Sequence, residues 1–387
     1  MPTANDRIFY ACQGVAIQGH GHNDNVATNE MIHGLQSVGV TTNFALEQAF
    51  ELGQIEIYEN IEGTPDIEVT LEKVLDGNSL IYHLATTGIG NGPSGLVNRS
   101  KQRADVRLGI FPEENNDINA AGANATVEVY MSGMYVSSIS YSLNSDGNST
   151  ESCTLVGNNK QWFDNVNGKM VNAGVANFDG LDEPLGLGSD TNPSGGITQK
   201  EDIMLSGCIF PASIQGISGS GYANAVGKIH AQSVSVSTDF SREDIFELGR
   251  KTPYARPAAF PIEVTCDIEA ITTSGDFVEA FEGGDTSLHA TIASGNNTTN
   301  ECIFIYTRNG LALDLGAKNR LSSVSYGGGD AGGGNATCTY SYSNYNDLDV
   351  QMRTNGYVGF NALKGTLTGA DKAKTSADGL GEGFPAL

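Results

Sequence analysis

The sequence predicts a mainly β protein: two tandem, homologous β-sandwich or barrel modules, each with a short helix. Two observations carry this. A long internal duplication runs through the chain, and inside both copies apolar residues alternate with polar ones at a period of two. The composition agrees, since 49 glycines and only 17% charged residues in 387 suit short strands joined by turns.

The duplication is legible residue by residue. Residues 36–70 and 232–265 share Gln36/Gln232, Val38/Val234, Val40/Val236, Thr42/Thr238, Phe44/Phe240 and Glu47/Glu243. The match continues through Phe50-Glu-Leu-Gly53 against Phe246-Glu-Leu-Gly249, then Tyr58/Tyr254 and Pro65/Pro261. After one skipped residue, Ile67-Glu-Val-Thr70 meets Ile262-Glu-Val-Thr265. Further on, Ser137-Ser-Ile-Ser-Tyr141 matches Ser322-Ser-Val-Ser-Tyr326, and Cys153-Thr154 matches Cys338-Thr339 at the same offset. Upstream, Ile8-Phe9 and Gln13-Gly14 resemble Ile209-Phe210 and Gln215-Gly216. The expected organisation is module 1 over 1–160, a Gly/Asn/Asp-rich insertion or linker over 161–208, and module 2 over 209–387 with a polar C-terminal tail.

Within each copy the pattern names the strands. Val38, Val40, Thr42 and Phe44 alternate with Gly39, Thr41 and Asn43, which is a half-buried strand, and the second copy repeats it. Ile67, Val69 and Leu71 alternate with Glu68, Thr70 and Glu72; Ile262, Val264, Cys266 and Ile268 alternate with Glu263, Thr265, Asp267 and Glu269. Each strand therefore has one dry face and one acidic, solvated face. Segments 126–130, 137–141, 302–307 and 336–340 read as further strands. Between the paired strands, Ser241-Arg-Glu-Asp244 has the form of a capping box, predicting one or two helical turns closed by Gly249. Ala45-Leu-Glu-Gln48 predicts a weaker-capped equivalent, so Glu47, Glu51, Glu243 and Glu247 are expected near short helical turns.

Charge excludes several functions. With 45 acidic against 21 basic residues the formal net charge is −24, the wrong sign for a nucleic-acid clamp. No run of eighteen apolar residues offers a membrane-spanning helix, and the N-terminal stretch has no apolar core of a secretory signal. The six cysteines, at 12, 153, 208, 266, 302 and 338, are far apart, so zinc-ribbon and thioredoxin spacings are absent; they are expected as reduced, buried thiols.

The candidate chemistry reads as scaffold. His20-Gly-His22-Asn-Asp24 offers imidazole and carboxylate ligands but has no counterpart in the second copy. Asp164–Gly168 and Asp179–Glu183 hold oxygen ligands without the EF-hand spacing. The glycine-rich loops at 88–95 and 326–335 lack a phosphate-binding frame, and Ser218-Gly-Ser-Gly221 lacks the nucleophile-elbow pattern. His33 and His230 occupy equivalent places ahead of the first repeat strand and are expected to be packing residues. Four glycosylation-type triplets, at Asn98, Asn124, Asn148 and Asn335, read as compositional. No catalytic residue, cofactor site or metal site is expected. Arg99, Lys101, Arg103 and Arg107 form the one basic cluster, read as an intersubunit patch that meets an acidic face.

The repeat phrases FALEQAFELGQIEIYENIEGTPDIEVTLEKVLDG and FSREDIFELGRKTPYARPAAFPIEVTCDIEAI resemble those of tail-tube (major tail) proteins of tailed bacteriophages. The resemblance covers both duplicated cores. It implies a small β-sandwich or barrel with a flanking helix, and hairpins that join neighbours into a ring with a continuous inner barrel. It implies no enzymatic residue, and it places the chain in the virion. The implied partners are other copies, by ring closure and axial stacking, and the terminator, tape-measure and tail-tip proteins. Two modules per chain imply three chains in a pseudo-hexameric ring. DNA would be a transported passenger, which an acidic lumen repels rather than holds. Glu68, Glu72, Glu263, Asp267 and Glu269 are the first candidates for such a lumen. Glu47, Glu51, Glu243 and Glu247 are the second. The alternatives are another virion part (tail tip, baseplate, sheath or capsid decoration) or a calcium- or glycan-binding β-sandwich of a cell surface.

Overall fold

The computed structural model describes residues 8, 10–20, 30–53, 55–86, 95–112, 124–172, 184–186, 196–204, 229–272, 278–280, 286–288, 303–307, 309–329 and 334–352. The chain is mainly β and its ladders are antiparallel. The first repeat opens with β1 (Gln13–Gly19), β2 (Glu30–Met31), β3 (Leu35–Phe50) and β4 (Ile57–Val74). Two short helices follow, α1 (Ile81–Ala85) and α2 (Leu96–Arg99), then β5 (Ala104–Ile110), β6 (Val127–Asn144) and β7 (Thr150–Gly157). β8 (Asn159–Val166), β9 (Lys169–Val171) and β10 (Ile203–Met204) fall largely in the stretch that composition marks as a linker. The second repeat contains β11 (Ile229–Asp239), β12 (Glu263–Thr272), β13 (Val278–Ala280), β14 (Thr286–Leu288) and β15 (Phe304–Thr307). β16 (Leu311–Asp314), β17 (Arg320–Gly327), β18 (Thr337–Tyr345) and β19 (Asp349–Met352) complete it.

Pairing repeats with the sequence. In the first repeat the inner order is β3-β4-β7-β6, and in the second it is β11-β12-β18-β17. The two sets are joined directly, because β6 pairs with β11. The result is one inner sheet in the order β3-β4-β7-β6-β11-β12-β18-β17, with β3 and β17 at its ends. Outside it, β5-β6-β8 repeats as β15-β16-β19, with β1 added at β5 and β10, from the stretch between the repeats, added at β15.

One strand serves both layers of the first repeat. Segments 126–130 and 137–141, read as two strands, are parts of the single 18-residue β6. Its first part pairs with β5 and β8, its second with β7 and β11. The change of layer falls at Gly133, whose φ of +67° an L side chain would resist, and its amide donates to Asp105 Oδ1 at 2.7 Å.

Alternation places the core. Ile67, Val69, Leu71, Ile139, Tyr141, Cys153, Leu155, Val234, Val236, Val264, Cys266, Ile268, Tyr340 and Tyr342 point inward and share one cluster with α1. Burial pushes the Cys153 and Cys266 thiols up in pKa. Helix α1 is fastened to the sheet by the buried Glu151, which accepts from the Ile81 and Tyr82 amides (2.8 and 3.1 Å) and the Tyr141 hydroxyl (3.1 Å). Those bonds satisfy orphan donors of the first helical turn inside the core.

The two copies differ by a slip. Thr42 stands opposite Ile67, but Thr238 stands opposite Val264 and not Ile262. A two-residue slip is even, so every side chain keeps its face.

The helical turns expected between the paired strands are not formed. Residues 45–50 continue β3, paired to 57–62, and make a long hairpin arm with its turn at Gly53 (φ +97°). In the second repeat, residues 241–258 form the matching arm, with bridges Arg242↔Ala258 and Ile245↔Ala255 and a turn at Gly249 (φ +89°). Ladder pairing across the hairpin outweighs the helix propensity of Ala-Leu-Glu-Gln and the apparent capping box. The helices that do form, α1 and α2, lie elsewhere, after β4.

Candidate functional site

The outward face of the inner sheet is a continuous polar surface. Ladder partners across it read Thr41–Glu68, Glu68–Val156, Thr70–Thr154, Glu72–Ser152, Ser138–Thr154, Ser140–Ser152 and Ser142–Thr150. Crossing the junction, Ser140–Ser237, Ser142–Ser235 and Asn144–Ser233 continue it. Beyond lie Ser233–Glu269, Ser235–Asp267, Ser237–Thr265, Glu269–Thr339, Asp267–Ser341 and Glu263–Tyr345. The first acidic set, Glu68, Glu72, Glu263, Asp267 and Glu269, is thus brought onto one face of one sheet, with Asp239 added opposite Ser138. All six are half-buried or exposed. Glu72 and Glu269 each accept a hydroxyl from the neighbouring strand, Ser37 at 3.4 Å and Ser233 at 3.1 Å. Asp239 lay outside the sequence candidates, although its period-two spacing from Ser237 marks its face.

The second acidic set lies apart from the first. Glu47 and Glu51 are exposed on the first arm, and Glu243 and Glu247 on the second. Both arms present apolar residues to solvent at equivalent positions: Phe50 and Phe246, Leu52 and Leu248, Tyr58 and Tyr254.

At their bases the arms differ. The second arm is seated on the first repeat through Arg242, whose Nε and Nη2 donate to Val136 O (2.9 and 2.7 Å) and whose Nη1 donates to Ser100 O (2.8 Å). Its guanidinium also lies over Tyr135 and Phe240, at 5.0 and 5.3 Å from the ring centroids. Burial lowers its pKa to about 10, so it stays charged at neutral pH. Arg256 adds bonds to Asp66 and Asp244, each 2.9 Å, and Thr64 donates to Lys251 O.

The first arm and the β17 edge are exposed counterparts of this junction. Phe240 is 0% exposed and its equivalent Phe44 is 70% exposed. On the other side, Tyr141 is 1% exposed and its equivalent Tyr326 is 52% exposed. Among the described residues β3 pairs only with β4, and β17 only with β18, so each keeps a row of backbone donors and acceptors on its outer side.

The basic cluster divides. Arg99 is buried on α2, donating to Thr86 Oγ1 at 2.6 Å and lying 5.5 Å from the Tyr82 ring. Arg107 is buried on β5, with Nε and Nη2 on Glu128 Oε2 at 2.9 and 2.8 Å. Arg107 lies on the face of β5 opposite Val106 and Leu108 and is buried there, and of the four only Lys101 and Arg103 are exposed.

Among the described residues the remaining motifs assemble no chemistry. His20 Nδ1 meets Asp105 Oδ1 at 2.8 Å, and that carboxylate also accepts from Tyr130. His22 and Asp24 lie outside the described residues, as do Asp179–Glu183, Ser218–Gly221, Cys208, Cys302 and the C-terminal tail. His33 lines a small surface recess with Met31, Asn78 and Ser79, and His230 lies in β11. Cys12, Cys153, Cys266 and Cys338 are free and buried. Among the described residues no group of three metal-ligating side chains converges, and no helix is long and apolar enough to cross a membrane.

Comparison with protein-family models gives no match, and comparison with curated proteins gives none. Among solved structures the chain is similar to a chain of the anti-feeding prophage baseplate, at 13% identity and TM-score 0.30, covering 42% of this chain and 98% of that one. It is similar to the tube-terminating cap of the same prophage at 14% identity and TM-score 0.30, over 43% and 96%. A sheath–tube complex of an extracellular contractile injection system gives 12% identity and TM-score 0.27, over 42% and 95%.

Proposed function

We propose that this chain is the repeating structural subunit of a bacteriophage tail tube: three copies, each contributing two modules, join edge to edge into a pseudo-hexameric ring, and rings stack axially. The observation that carries this reading is the contrast between one junction made and the same junction left open. The chain joins β6 to β11 and thereby buries Tyr141 and Phe240, while the repeat-equivalent Tyr326 and Phe44 stay exposed at the two sheet ends. A β17 edge meeting the β3 edge of another copy repeats the internal contact, and such a head-to-tail contact closes a ring when its rotation allows. Burying an aromatic side chain of this size stabilises by about 1.5–3 kcal/mol, so two per contact favour association.

The polar face supports the second half of the reading. Six carboxylates on a bed of serine and threonine repel phosphate without offering it a binding site, so DNA would pass through as cargo. Terminator, tape-measure and tail-tip proteins would then be the other partners, and the virion the place of function.

The test is a cross-link in the register that the internal ladder dictates. Ser140 stands opposite Ser237, so their equivalents Ser325 and Thr41 should stand opposite each other between chains. The double variant Thr41→Cys, Ser325→Cys should yield covalent trimers on oxidation and six-lobed rings by negative-stain microscopy. Monomers at every concentration would refute the reading.

A further inference from the structure

We propose that the first arm seats on the β17 edge of a second copy of this chain through a charge pattern reversed from the internal seat. The proposal rests on the edge-to-edge reading above and adds a partner surface to it.

Within the chain, the cations sit on the arm. Arg242 and Arg256 reach from the second arm to Tyr135, the Val136 carbonyl and Asp66 of the first repeat. In the repeat alignment Arg242 corresponds to Leu46 and Arg256 to Asn60, so the first arm has lost both cations. It is instead acidic, since residues 44–62 contain Glu47, Glu51, Glu56, Glu59 and Glu62 and no lysine or arginine. The surface that would receive it has changed in the opposite sense. Tyr135-Val136 of the internal seat corresponds to Arg320-Leu321 at the start of β17. Lys318 and Arg320 are both exposed there.

Repeat equivalence dictates the contacts of the open junction. Leu46 takes the place of Arg242 and lies against Leu321, which replaces four polar contacts with an apolar one. Glu62 is the ladder partner of Leu46 and shares its face, so this carboxylate arrives beside Lys318 and Arg320; Glu47, next in sequence, projects from the other face of the hairpin and adds to the negative field of the arm. Phe44, exposed in the single chain, takes the buried place of Phe240.

The reversal also excludes wrong pairings. The second arm is held on β6 of its own chain, and its Arg242 would in any case meet the like charge of Arg320 at the β17 edge. A first arm cannot use the seat on β6, because the chain's own second arm fills it. The first arm and the β17 edge are thus the two partners left for each other, and their opposite charges favour that pairing.

The experiment uses the full chain and three charge variants, with self-association measured by sedimentation velocity and by the Thr41–Ser325 cysteine cross-link. Glu47→Lys with Glu62→Lys, or Lys318→Glu with Arg320→Glu, should each weaken association by at least about tenfold. All four substitutions together should restore it. All six sites, cysteine pair included, are half-buried or exposed, and unchanged far-UV circular dichroism verifies folding. The proposal is overturned if the single reversals associate like the parent, or if the fourfold variant is no better than they are. If the arm reversals fail to act while the parent still cross-links, only the seat is wrong. A parent that never associates, or an arm that becomes protected only when another tail protein is added, overturns the second copy as its partner.

Discussion

The seat of the second arm can be weighed by replacing Arg242 with the residue its counterpart carries, leucine. The substitution removes donors to Val136 O, Ser100 O and Arg256 O, at 2.7, 2.8 and 3.1 Å. Hydrogen bonds from a charged group contribute about 1.5–3 kcal/mol each, and the low end applies because the partly buried guanidinium has given up hydration. Two strong contacts at about 1.5 kcal/mol give a loss of about 3 kcal/mol. The ring contacts with Tyr135 and Phe240 are largely kept in apolar form by leucine. Urea unfolding of the full chain measures the loss, and trypsin reports it locally, because Arg250 and Lys251 at the arm tip are exposed. Arg242→Leu should lower stability by about 3 kcal/mol and speed cleavage at the tip. A change within about 0.5 kcal/mol, with unaltered cleavage, would refute the view that this side chain fastens the two repeats together.

Phe240→Ala should cost about 3–5 kcal/mol of stability, whereas Phe44→Ser should leave the isolated chain within about 0.5 kcal/mol and weaken only its self-association; equal costs in the two would contradict the exposed-counterpart argument. His83 is buried against Val350 O at 3.0 Å, and burial, helped by the Arg99 charge, holds its pKa down at about 3 against an ordinary 6.5. Because the folded state resists protonation, its contribution is complete above pH 6.5 and is lost as pH falls from there toward 3. At pH 5 this amounts to about 2 kcal/mol, and His83→Gln should lose that part of the acid sensitivity in urea titrations at pH 7 and 5. Identical pH slopes for the two proteins would remove His83 from the account.

Much of the fold was legible because strand alternation is a local signal. The dry face of β4, Ile67, Val69 and Leu71, and its solvated partners Glu68 and Glu72 lie where their spacing put them. The arms were misread because the competing signal is not local. Ala45–Gln48 and Ser241–Asp244 favour helix by propensity and capping, and only pairing with residues twelve to sixteen positions later decides for the hairpin. The basic cluster misled for a related reason. Arg107 is buried because Glu128, twenty-one residues on, supplies its carboxylate from the adjacent strand, a partner that no spacing rule announces. The β6–β11 junction was beyond reach altogether, since identical repeat residues are buried in one copy and exposed in the other, and sequence cannot distinguish them.

The β6–β11 ladder has a consequence for size. If chains add edge to edge, every second step around the assembly is this internal one, and its angle is set before two chains meet. A head-to-tail series closes only when its rotations sum to a full turn; a small error per step leaves a lock-washer or an open ribbon. Tyr135, Phe240 and Arg242 hold that angle from a position remote from both sheet ends. They would therefore act as the calibration of particle diameter, and a substitution there would leave each chain able to pair while changing how many pairs complete the circle.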